Sequence, residues 1–217
     1  MQHSMRDKGL EITFEVYIMV SVKAELLRRA GSKPAPGDLI LVQLFINTWN
    51  IDSKGGTDYI STPEDFRAWL IDTELLDRRA PVTASDLETA LRVREALRAL
   101  ALANNGGATD ADALETLNRA ARSAQLAVRF DSAGNGTLEP LAPGVDGALG
   151  RILAIAFNAM NDGSWRRLKA CPAEHCEFAF YDETKNRSGT WCSMSVCGNR
   201  AKARSFRKRH VSADHAH

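Results

Sequence analysis

The sequence predicts a mainly α chain with small β-hairpin elements: a helical N-terminal domain followed by a small C-terminal module of different character. Three observations carry this. Between residues 38 and 165 apolar side chains recur with helical spacing behind recognisable helix starts. One stretch there, residues 126–142, changes period around Gly134-Asn135-Gly136 and reads as a hairpin. All four cysteines, Cys171, Cys176, Cys192 and Cys197, fall in the last quarter of the chain.

The elements follow in order. Residues 1–37 form an N-terminal extension. In it Ile12, Phe14, Val16, Ile18, Val20 and Val22 alternate with other residues at the period of a half-buried strand. A short helical stretch near 24–29 follows, and "GSKPAPGD" at 31–38 is a loop or linker. "LILVQLFINTWN" (39–50) is apolar on nearly every side, so it is a buried helix or strand. "STPEDFRAWLIDTELL" opens with a helix start, in which Thr62 caps, Pro63 suits the first helical position, and Glu64 and Asp65 complement the dipole. "TASDLETALRVREALRALALANNGG" is the clearest helix, with Ala90, Leu97 and Ala101 on one face and a stop at 104–107. Residues 109–124 give another, with Leu114, Leu117 and Ala121 inward. After the hairpin, residues 146–163 return to helix with a stripe of Leu149, Ile152, Leu153, Ala156 and Met160. The divisions expected are 1–37, 38–165, 166–210 and a frayed tail at 211–217.

A chain of 217 residues, 44% apolar and 25% charged, buries a real core and is not a disordered polymer. Its best apolar run, 12–22, is too short for a membrane helix, and Glu15 breaks the uninterrupted apolar stretch that a signal peptide would want. The expected location is cytoplasmic, where thiols stay reduced. In that setting C-x4-C-x15-C-x4-C favours a Zn2+ site over two disulfides or free thiols. Each close pair supplies two corners of a tetrahedron, and the intervening loop brings the pairs together. Phe178, Phe180 and a turn over "DETKNRSG" suggest a hairpin between the pairs that returns at Trp191. The second pair then sits where a helix starts, since Gly198 permits close backbone and "RAKARSFRKRH" is rich in helix formers. Knuckle, hairpin, knuckle and helix make a treble-clef-like zinc finger.

The charge is uneven. Residues 166–210 carry eleven Lys and Arg against four acids, a net +7, which leaves −6 on the rest. A basic module on an acidic body points to phosphate as partner. Six of the cations lie in ten residues: Arg200, Lys202, Arg204, Arg207, Lys208 and Arg209. DNA is the favoured partner. RNA is the alternative if Phe178, Phe180 and Trp191 are exposed for stacking. A third reading has zinc as a purely structural staple in a protein-interaction module.

The body carries no phosphate loop or nucleophile elbow, and the five histidines of the chain, His3, His175, His210, His215 and His217, all lie outside it. The chain is therefore not expected to be an enzyme. Asn47, Arg94 and Asn118 stand at awkward positions for a solvated face. Arg94 either pairs with an acid or joins the two asparagines in lining a small-molecule effector pocket. A sensing or dimerising role for the body, as a homo-oligomer, is consistent with either.

"WCSMSVCGNRAKARSFRKR" resembles the CGNR zinc finger, and the upstream C-x4-C…F-x-F-x-D-x-T-K-N and Trp191 agree with it. "FINTWN", "FRAWL", "LRVREALRAL" and "LETLNRA" resemble stretches of the ABATE domain, which precedes this finger in bacterial proteins described as stress-induced transcription regulators. The resemblance spans about 38–210 and implies zinc on the four cysteines and a transcriptional role. Two departures stand out. Gly189-Thr190 occupy positions where such fingers commonly have two basic residues, and residues 1–37 have no counterpart.

Overall fold

The computed structural model describes residues 33–52, 55–173 and 175–214. The strand expected over 12–22 and the helix near 24–29 lie outside the described residues. The chain enters through an irregular stretch that turns at Gly37, whose φ of +54° suits a residue without Cβ.

The apolar run at 39–50 contains both a helix and a strand: α1 (Leu39–Ile46), then β1 (Trp49–Asp52), which pairs antiparallel with β2 (Gly55–Asp58). Helix α1 is buried on most of its surface, which explains why its sequence shows no polar face. Helix α2 (Pro63–Asp72) starts as its sequence requires, with the Thr62 hydroxyl accepting from the Asp65 amide at 3.1 Å.

Helix α3 (Ala84–Ala103) is the axis of the body. Its start is a reciprocal cap: Thr83 Oγ1 accepts from the Asp86 amide at 3.2 Å, and the Asp86 carboxylate accepts from the Thr83 amide at 2.7 Å. Thr83→Ala is expected to lower stability by about 1 kcal/mol, read as a lower urea midpoint at unchanged slope.

Helix α4 (Ala111–Ser123) lies along α3, followed by the β3 (Leu126–Phe130) and β4 (Gly136–Pro140) hairpin and by α5 (Gly144–Asp162). Phe45, Phe66, Leu70, Leu97, Leu149 and Ile152 are fully buried at the junction of α1, α2, α3 and α5. Each contributes roughly 1.5–3 kcal/mol of transfer free energy.

Two expected core residues are at the surface. Leu114 is 41% exposed and Met160 43%. On α4 the buried positions are Ala113 and Ala120, with Leu117 and Ala121 half-buried. Small side chains let α4 lie close to its neighbour, and the larger Leu114 is left on the rim.

The last third continues from the same core. A 3-10 turn (Ser164–Arg167) leads into β5 (Leu168–Ala170), which pairs with β6 (Ala179–Tyr181). Trp165, Leu168, Ala170 and Ala179 pack into the cluster that holds the body helices. A π-helical turn (Met194–Gly198) then opens α6 (Asn199–Asp214). Among the described residues, no helix is long and apolar enough to cross a membrane.

Candidate metal centre and nucleic-acid interface

The first cysteine pair sits at the tip of the β5–β6 hairpin. Cys171 follows β5 directly, and its amide donates to Phe178 O at 3.0 Å. Between the strands the chain reverses through two left-handed residues, His175 at φ +61° and Glu177 at φ +51°. The Cys176 amide donates to Ala173 O at 3.0 Å and closes the knuckle. The hairpin expected between the two pairs is thus corrected: its strands flank the first pair, and no strand forms at Trp191.

The reason is visible in residues 182–190. Several of their main-chain groups are satisfied by side chains instead of by a ladder. Asp182 is 1% exposed and accepts from the Thr184 amide, the Thr184 hydroxyl, the Gly189 amide and Lys169 Nζ, all at 2.8–3.0 Å. Lys169 Nζ also donates to the carbonyls of Arg187 at 2.6 Å and Gly189 at 2.8 Å. Burial works against the Asp182 charge, but the hydrogen bonds from Lys169 and Thr184 outweigh it and hold the carboxyl down at about 2. Gly189 is required here, because a Cβ on it would stand 2.6 Å from Asp182 Oδ1. The departure from a basic residue at this position therefore matches a loop closed tightly on its own carboxylate.

The second pair brackets the π-helical turn. Ser193 caps it by accepting from the Val196 amide at 3.3 Å. Cys197 lies within its last residues, separated from α6 by Gly198 alone. Gly198 is buried, and a Cβ there would meet Met194 Sδ at 2.8 Å and Trp191 at 3.3 Å.

The four sulfurs of Cys171, Cys176, Cys192 and Cys197 lie within 4.8 Å of one another, with Cys176–Cys192 at 3.5 Å and Cys192–Cys197 at 3.7 Å. These are not disulfide distances, and all four cysteines are free. Four thiolates around zinc, with bonds of about 2.3 Å, place sulfurs about 3.8 Å apart. The cluster fits that ion. The thiols must give up their protons to hold the ion as thiolates. His175 is exposed and stands outside this ligand set.

Phe178, Phe180 and Trp191 form the miniature core of the finger. Phe180 is 1% exposed and packs with Cys171, Ala173 and Cys197, while Trp191 and Cys192 are partly buried against them. Phe178 is also buried.

The cations are arranged differently. On α6, Arg200, Lys202 and Arg207 are exposed and Arg204 is half-buried, with Lys208 and Arg209 further along the same helix. The helix emerges directly from the metal ligand Cys197, so the metal fixes its origin.

The expectation that Asn47, Arg94 and Asn118 line one pocket is corrected. Arg94 is buried and forms a bidentate pair with Asp58, at 2.8 and 3.0 Å, and a further ion pair with Glu95 at 2.9 Å. This is the pairing with an acid that its position on α3 allowed. Asn118 is exposed on α4. Asn47 is fully buried but spends its amide on the finger: Nδ2 donates to Ala179 O at 2.9 Å, and Oδ1 accepts from the Ala179 amide at 2.8 Å.

Asn47 belongs to a set whose other members sequence reasoning passed over. Gln43 Nε2 donates to Ala179 O at 3.0 Å. Arg98 reaches Glu177 O at 2.8 Å and Ile46 O at 2.6 Å. Asn104 Nδ2 donates to Trp165 O and Leu168 O, and Asn105 Nδ2 to Ala170 O and Thr190 O, all at 2.8–2.9 Å. Five body side chains thereby hold the main chain of the finger and its lead-in turn. The only sequence signal was negative: Gln43 and Asn47 interrupt an apolar run, and Asn104 and Asn105 looked like a helix stop.

A helical body fused through one core to a four-thiolate centre, from which a basic helix starts, defines a zinc-finger protein of two tightly joined parts. The chain belongs to the ABATE family: the model described as "Putative stress-induced transcription regulator" matches residues 40–161, and the CGNR zinc finger model matches residues 167–210. No curated protein matches the chain.

Proposed function

We propose that this protein binds duplex DNA through its zinc finger and acts as a transcription regulator, with the body as the platform that sets the direction of α6. The observation that carries the reading is the exposure of Arg200, Lys202 and Arg207 on a helix anchored at Cys197. Cations fixed in space neutralise phosphates at little entropic cost, whereas cations on a free tail do not. The family description supports the same role. The body then serves binding, by dimerising or by responding to an effector, and the chain works as a binder and not as a catalyst.

RNA recognition by stacking is the less favoured reading. It rests on Phe178, Phe180 and Trp191 being open for stacking, whereas the two phenylalanines are buried inside the finger and Trp191 is partly buried against the cluster around Phe180. The test is a salt titration with zinc-loaded full-length protein on duplex DNA and on single-stranded RNA. With about three phosphates neutralised, log affinity for duplex should fall with log salt at a slope of about −3. A flat response would contradict phosphate binding. Tighter binding to the RNA would move the reading there. No affinity for either, with mass that rises with concentration, would make the finger a protein-assembly module.

A further inference from the structure

The exposure pattern along α6 goes beyond a count of cations. Ala201 and Arg204 are half-buried and mark the more covered side of the helix. Asn199, Ala203 and Phe206 are exposed, with Phe206 57% exposed. They stand at i, i+4 and i+7, so they form one row along the side of the helix opposite the covered one. The row holds no charge. Lys202 flanks it on one side. Arg200 and Arg207, themselves seven apart, flank it on the other, and all three are exposed. Asn199 is held in place at the head of the row by donating Nδ2 to Ser195 O at 3.2 Å, next to the metal ligand Cys197.

A neutral row between two basic flanks matches a duplex groove. An α-helix is about 10–12 Å across with its side chains, and the major groove of B-DNA is about 12 Å wide. The groove walls are phosphate and its floor is base edges. Resting on the reading of the finger as a duplex DNA binder, we propose that Asn199, Ala203 and Phe206 face the base edges in a major groove, while Lys202 on one flank and Arg200 and Arg207 on the other contact the phosphates of its two walls. The chemistry of the row is an amide, a methyl group and an aromatic ring. These suit hydrogen bonding to a base edge at the Asn199 end and apolar contact with thymine methyl groups at Ala203 and Phe206.

The experiment is selection from a random duplex pool with zinc-loaded wild type, Ala203→Gln, Phe206→Ala and Lys202→Ala, each checked for zinc content. All three positions are exposed, so the variants are expected to fold. Wild type should enrich a motif. Ala203→Gln should change the preferred base at one or two adjacent positions. Phe206→Ala should lower the ratio of specific to non-specific affinity about tenfold. Lys202→Ala should weaken all sequences alike and make the salt slope shallower by about 1. A wild-type motif that both Ala203→Gln and Phe206→Ala leave unchanged in sequence and ratio would overturn the assignment of the row while leaving the DNA reading standing. No duplex binding by wild type would overturn both.

Discussion

Stripping zinc from the full chain will lower its melting temperature in a single transition, by on the order of 10 °C or more, and will not melt the finger alone. Structural zinc contributes binding free energy directly to folding. In a chain of this size each kcal/mol corresponds to about 2–4 °C. The single transition follows from the packing. Trp165, Leu168, Ala170 and Ala179 lie in the same core as Phe45, Leu97 and Ile152. Asn47, Gln43, Arg98, Asn104 and Asn105 also give hydrogen bonds to finger carbonyls. If the finger loosens, the buried Gln43 and Asn47 amides and the Arg98 guanidinium lose partners, which costs about 1–3 kcal/mol for each group left unsatisfied. Scanning calorimetry of zinc-loaded and chelated protein checks this. Two separate transitions, with the larger unmoved by chelation, would show that the parts fold independently.

Lys169→Met will destabilise the finger by about 3–5 kcal/mol, because it leaves the Asp182 carboxylate buried without its cation. The variant also removes the donor to Arg187 O and Gly189 O, so loop 182–190 should lose protection from amide exchange first. The effect has a pH signature. The folded carboxyl, at about 2, lies below its ordinary value of 3.8. Its contribution is therefore complete above about pH 4 and is lost as pH falls towards 2. Acid also protonates the zinc thiolates, so the useful readout is the stability difference between wild type and variant. That gap should be full at neutral pH and close as pH falls towards 2. Urea midpoints taken across this range measure it, and a gap independent of pH would show that the pair is not the source.

These two predictions mark where sequence reading was strong and where it stopped. Helix starts were legible because a cap is a local event: Thr62 and Thr83 each act on an amide three residues away. The zinc ligands were legible because cysteine spacing alone constrains a tetrahedron. The β3–β4 hairpin was legible from its turn and its change of period. The position of the finger hairpin was not, because what replaces the expected strand near Trp191 is a side-chain network. Asp182 and Lys169 looked like entries in a charge count, and nothing local says that they meet 13 residues apart in a buried pair. The clamp from Gln43 and Asn47 to Ala179 spans more than 130 residues and has no sequence period at all. Leu114 and Met160 show the limit of periodicity itself, since a pattern gives the face of a helix but not which rim of that face meets its neighbour.

The positions of Cys197 and α6 make the central claim direct: the metal fixes the start of a helix whose cations meet DNA. The measurement that tests it most directly is duplex affinity at physiological salt for zinc-loaded wild type beside Cys197→Ser, with zinc content determined for both. The account predicts salt-sensitive duplex binding by wild type, and at least a tenfold loss in the variant, which keeps every cation but loses the anchor of the helix. Equal binding by the two proteins would contradict it, because the basic residues would then act as a charged tail that needs no metal to place it.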